Sequence, residues 1–208
     1  MELLVAMLIS AILMMFLFKF LADETSSFVE SRQMSEMQQE LRWGMNFVSD
    51  HLKLAGNGVP PTCGWQVISN KDGGAGASDS ISVLGSFKSL VVTTTQPMGN
   101  SGAPIKVDDA SEIGVGDLCV ISDGTYQEIF MVTAKSPGEI LDHFTELPWN
   151  EDKFLDHKYL QNSSVSVVSH YTFFVATDDE GRSNLMVKTQ AYDPQILIGD
   201  IDNFQIRF

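Results

Sequence analysis

From Leu3 to Phe18 the chain carries no charged residue, and Lys19 is the only charge before Asp23. As a helix, residues 3–22 would extend roughly 30 Å, the thickness of a bilayer's hydrocarbon core. Lys19 stands near one end, where a long side chain can carry its ammonium to an interface. A secretory signal peptide would need a basic start and a small-residue cleavage site after a shorter apolar core. Here Glu2 precedes the run and Phe18–Lys19–Phe20–Leu21 follows it, so the segment is expected to stay on the protein.

The next stretch extends the same helix. Between Asp23 and Ala55 there is no Pro, and Gly44 is the only Gly. Met34, Met37, Leu41, Met45, Val48 and Leu52 recur at steps of three and four, a continuous stripe on one helical face. Glu36, Gln38, Gln39, Glu40, Arg42, Asn46 and Asp50 supply a solvated opposite face. Gly56–Asn57–Gly58 and then Pro60–Pro61 should end it, because Gly and Asn suit the left-handed cap and Pro cannot continue a helix. The expectation is one helix over residues 1–55, roughly 80 Å long. Its first part, 1–22, is suited to lipid or to a bundle of like helices. Its second part, 23–55, is amphipathic and suited to packing on a sheet. A plain membrane anchor with a helical stalk is the simpler alternative.

Residues 56–208 read as a β-rich head. Strand-like runs bounded by turn signals appear at 66–69, 80–84, 89–95, 117–122, 127–134, 165–176, 184–189 and 202–208. Ser80–Val83 and Asn203–Phe208 alternate polar and apolar residues, as half-buried strands do. Asp178–Gly181 reads as a hairpin turn and the Gly-rich stretch Asp72–Ser78 as a surface loop. No Lys-Ser/Thr follows that loop, which argues against phosphate binding.

Glu2-Leu3-Leu4-Val5-Ala6-Met7-Leu8-Ile9-Ser10 resembles the start of type IV pilins and type II secretion pseudopilins. Their motif runs Gly, an aromatic, Thr, Leu, a variable residue and a glutamate that opens an apolar helix. Glu2 matches that glutamate and Met1 the variable residue; the leader, the cleavage-site Gly and the aromatic are absent from this chain, which the resemblance implies is due either to a start lying further upstream or to a mature end that was trimmed or left out. Met37–Arg42, Phe47–Gly56, Ser78–Val83, Val115–Gly124 and Leu197–Phe208 are similar to minor pilins of the PilW kind.

The fold so implied is α+β and pilin-like, a long N-terminal α-helix packed on a C-terminal antiparallel β-sheet head. The function implied is a structural subunit of a type IV pilus or related filament. A minor pseudopilin of type II secretion, a major pilin of the shaft and, from a different class, a single-pass membrane receptor or adhesin are the alternatives. Glu2 would set register against a neighbouring subunit's terminal amine; otherwise it is simply a favourable acid at a helix start. Leu3, Leu4, Val5, Met7, Leu8 and Ile12 would pack the filament core, where the phenylalanines at 16, 18 and 20 also serve packing. Met34, Met37, Leu41, Met45, Val48 and Leu52 would pack helix against head. The partners implied are other pilin subunits, the inner membrane before assembly and the pilus or secretion machinery. The location implied is the inner membrane and an extracellular or periplasmic filament.

Composition narrows what remains. The net charge is −14, and residues 56–208 hold nine Lys/Arg against 20 Asp/Glu. So acidic a head repels nucleic acid and anionic lipid. Asp108–Asp109, Asp123, Asp178–Asp179 and Asp200/Asp202 offer oxygens for calcium, but none has EF-hand spacing, and acidic turns are usually solvated. Cys63 and Cys119 can form a bridge, closing a loop of about 57 residues for about 3–4 kcal/mol, or remain two thiols. His51, His143, His157 and His170 form no ligand pattern, and neither a Gly-x-Ser-x-Gly elbow nor a Cys–His signature is present. No catalysis, metal or cofactor is therefore expected.

Overall fold

The computed structural model describes residues 2–61, 65–74, 77–143, 149–150, 154–201 and 203–206; for Leu4, Val5, Ala6 and Leu8 it describes the backbone alone. The chain divides into two compact units, Met1–Asn46 and Phe47–Phe208.

One helix, α1 (Glu2–Lys53, 52 residues), occupies the N-terminal region and supplies the first turns of the second unit. Its stop follows the Gly–Asn–Gly signal. Gly56 and Gly58 take φ of 80° and 68°, and the Gly56 amide donates to the Leu84 carbonyl at 2.9 Å. The helix end therefore docks on a strand. At that junction Gly85 is required by space, since a Cβ there would lie 2.7 Å from the Leu54 carbonyl oxygen.

The second unit is built on antiparallel strands β1 (Ile68–Lys71), β2 (Ser80–Gly85), β3 (Val91–Thr93), β4 (Ile105–Lys106), β5 (Leu118–Ser122), β6 (Gln127–Met131), β7 (Ala134–Ser136), β8 (Ile140–Asp142), β9 (Ser164–Thr177), β10 (Ser183–Thr189) and β11 (Gln195–Ile198). The architecture is α+β: a long N-terminal helix and a large antiparallel sheet. Among the described residues, the large sheet runs β1-β2-β9-β10-β11, with β3 and β5 also on β9 and β6 on β5. A small sheet runs β4-β8-β7. The 14-residue β9 serves both halves of the large sheet. Its first part pairs with β3 and β5, as in Val167 with Cys119, and its second with β2 and β10, as in Phe173 with Ile81 and Val187.

The alternation of side chains along these strands divides the core into three clusters. Cys119 and Ile121 point into the first, with Phe130, Leu141, Tyr159 and Val165. Leu118 and Val120, on the opposite face of β5, join Leu84 and Val168 in the second. Ile81, Val83 and Phe173 join Val48 of α1 in the third. Because β5 is covered on both faces, it reads as an unbroken apolar run rather than an alternating one.

The strands expected at 80–84, 117–122, 165–176 and 184–189 are observed within a residue or so at each end. The run at 89–95 shortens to β3, and 66–69 shifts to 68–71. The run at 127–134 divides into β6 and β7: Val132 still donates to the Asp117 carbonyl, just before β5, whereas Thr133 donates to the Asp142 carbonyl of β8. The hairpin at Asp178–Gly181 joins β9 to β10, with Gly181 at φ 81°.

The strand expected at 202–208 is corrected. Residues 203–206 are described and carry no strand, while Asp202, Arg207 and Phe208 lie outside the described residues. The alternation nonetheless holds, with Phe204 and Ile206 packed on the third cluster and Asn203 and Gln205 exposed. Asp79 interrupts the ladder. Its amide donates to the Phe204 carbonyl, but its carboxylate accepts from the Ile206 and Gly73 amides at 2.7 and 3.1 Å. Ala75 and Gly76 of the Gly-rich stretch also lie outside the described residues.

Candidate assembly surface

Large apolar side chains of α1 are exposed on every side of its first half. Leu3 is 75% exposed, Met7 65%, Ile12 47%, Met15 75% and Phe18 68%. Consecutive positions such as Ile12 to Phe18 point around the whole helix, a pattern that calls for apolar surroundings on all sides. Isolated soluble chains rarely expose contiguous apolar patches above a few hundred Å². Glu2 is exposed in the first turn, where the partial positive charge of the helix start favours a carboxylate. The side chains of Leu4, Val5 and Leu8 lie outside the described residues.

Among the described residues, no helix is long and apolar enough to cross a membrane.

The last positions of the amphipathic stripe, Val48 and Leu52, fall in the second unit. Val48 is buried and Leu52 packs on the third cluster. Met34, Met37, Leu41 and Met45 belong to the first unit and are 44–58% exposed. The apolar ground that the sheet offers, Ile81, Val83 and Phe173, is already covered by Phe47, Val48, Leu52 and Ala55. Phe47 and Ala55, with His51 between them, are the contact residues that the stripe alone does not indicate. His51 Nδ1 lies 2.7 Å from the Phe47 carbonyl, and its ring centroid lies 4.2 Å from Phe47, 4.7 Å from Phe87 and 4.4 Å from Tyr171. The signal was the second i, i+4 series, 47–51–55, alongside 48–52.

Four of the acidic residues weighed as calcium ligands bond the head's own backbone. Asp108 accepts from the Thr93 amide and hydroxyl, which hold its carboxyl below the usual range. Asp109 accepts from the Ser111 amide, Asp123 from the Thr125 and Tyr126 amides, and Asp178 from the Glu180 and Arg182 amides. Among the described residues no three His, Cys, Asp or Glu side chains converge as metal ligands. Asp202 lies outside the described residues.

Of the two states left open for the cysteines, Cys119 takes the thiol: it is free and fully buried in β5, and burial pushes its ionisation far up. Cys63 lies outside the described residues.

Compared with protein-family models, curated proteins and solved structures, the chain matches none.

Proposed function

We propose that the chain is a structural subunit of a type IV pilus or related filament, a PilW-like minor pilin that assembles through α1. The pilin-like reading of its α+β fold belongs to the same proposal. The observation that carries it is the contrast within α1: the described apolar side chains between Leu3 and Leu21 stand open on all sides, and the last turn is committed to the head. Such a rod is stable when like rods or lipid surround it, since full burial of one Leu, Met or Phe side chain stabilises by about 1.5–3 kcal/mol. In that setting Glu2 has a role only if paired, because an isolated carboxylate in an apolar core is expensive. The partner in this reading is the terminal amine of a neighbouring subunit.

The test is a Glu2→Ala chain expressed in its own cells, with filaments sheared off and both chains quantified by mass spectrometry. The wild type is expected in the sheared fraction at low copy, and the variant is expected to be depleted at least about tenfold. A wild-type chain that stays wholly in the membrane fraction favours an anchored receptor and overturns the proposal. A copy number matching the main shaft protein would make it a major pilin.

A further inference from the structure

A cleft of about 760 Å³ opens beside β6, inside the head unit. That volume falls within the range of about 300–1,000 Å³ usual for small-ligand sites. Two aromatic pairs line it. Trp65 and Trp149 have ring centroids 4.2 Å apart, and Tyr126 and His157 stack at 4.0 Å with planes 22° apart. Phe154 adds a further ring to the lining, packed so closely over Gly102 that a Cβ there would meet it at 2.4 Å.

The Tyr126–His157 platform is held in place. Asp123 accepts from the Tyr126 and Thr125 amides at 2.7 and 2.8 Å, and its carboxylate lies 3.3 Å from His157 Nε2. Glu128 accepts from the Asp156 amide at 2.6 Å and from the His157 amide and Tyr159 hydroxyl at 2.9 Å. Asn150, buried behind the cleft, has both ends of its amide occupied by Met131 and His143 backbone groups. The rings are therefore fixed before any ligand arrives, which lowers the ordering cost of binding.

The charge of the lining selects the ligand. The described lining carries Glu128 and Asp156, and the whole chain carries −14. Phosphates, nucleic acids and carboxylated sugars are thus disfavoured. Of the two carboxylates in the described lining, Glu128 is committed to two amides and a hydroxyl, while Asp156 offers acceptor oxygens suited to hydroxyl groups. What remains open is exposed aromatic faces, Tyr126 at 52% and Phe154 at 60%, beside polar groups such as the Gln127 amide. A sugar ring, with an apolar C–H face and a polar rim, matches that combination. We infer that this cleft binds a neutral carbohydrate, with sugar rings laid on the Tyr126–His157 stack and the Trp65–Trp149 pair.

The inference does not depend on filament assembly and is tested on the isolated full chain. The chain is held in a polyoxyethylene detergent, which has no sugar headgroup to compete. Calorimetric titration uses maltohexaose, cellohexaose, chitohexaose and mannohexaose, with choline and a lysine-rich peptide as cationic probes. At least one oligosaccharide is expected to bind. Tyr126→Ala and Phe154→Ala are expected each to weaken it about tenfold, near 1.4 kcal/mol, with the thermal midpoint of the head unchanged. Silence toward all four sugars, binding of the cationic probes in their place, or sugar binding indifferent to both variants would overturn it.

Discussion

Two regions of this molecule hold similar side chains in opposite states. From Leu3 to Met45 the described Leu, Met, Ile and Phe side chains of α1 stand open, whereas Ile81, Phe130, Leu141 and Phe173 of the head are nearly or wholly covered. Each set is kept in its conformation by something different. In α1 the backbone bonds close within the helix itself, so its shape needs no tertiary partner to be defined, although isolated helices in water are marginal. In the head, strands separated by up to a hundred residues hold together because their side chains leave water jointly. An apolar side chain therefore stabilises this chain only where the chain supplies its own neighbours. Along the first part of α1, the neighbours are those of the proposed assembly.

The sharpest way to break this comparison is to hollow the head. Phe130→Ala removes a ring from the first cluster and should cost about 3–5 kcal/mol of head stability, read from denaturant unfolding. Next comes the paired test along one helix face. Val48→Ala should cost about 2 kcal/mol, because Val48 packs in the third cluster, while Met37→Ala should stay within about 0.5 kcal/mol. Equal losses at the two positions would break the comparison.

A pH titration sharpens the head's side of it. Burial holds the His143 and His170 imidazoles below their ordinary range. As pH falls below about 6.5 the unfolded chain takes up protons that the head refuses, so stability should decline there. A His170→Gln chain should show a shallower fall in thermal midpoint over that window. In a lower window, backbone amides hold the Asp79, Asp123 and Asp178 carboxyls down, from Ile206, Tyr126 and Arg182 respectively. Their stabilisation is present above about pH 4 and is lost as pH falls further. The smallest effect is at Cys119, which should resist maleimide in the native head and react only on unfolding.

The helix was legible because its signal is dense: an uncharged run, a stripe at steps of three and four, no Pro, and a Gly–Asn–Gly stop. Strands with strong alternation or long apolar runs could be read. β4, β8 and β11 could not, because two to four residues such as Ile105–Lys106 hold no period. The closing segment shows a subtler failure. Its alternation was right, but a single carboxylate, Asp79, took the amide that a neighbouring strand would have used. The aromatic cleft was invisible for another reason: Trp65, Tyr126, Trp149 and His157 are scattered along the chain, so no local pattern joins them.

The long strand β9 carries a further consequence. It is the shared neighbour of β2, β3, β5 and β10, yet it begins only at Ser164. Pairings of such long range make folding slow. A polypeptide emerging amino end first, from a ribosome or across a membrane, would present β1 to β8 before the strand that joins them exists. For that interval, apolar segments such as Leu118–Ile121 would be unprotected, so successful production of this head should depend on a chaperone or on rapid delivery of its final quarter.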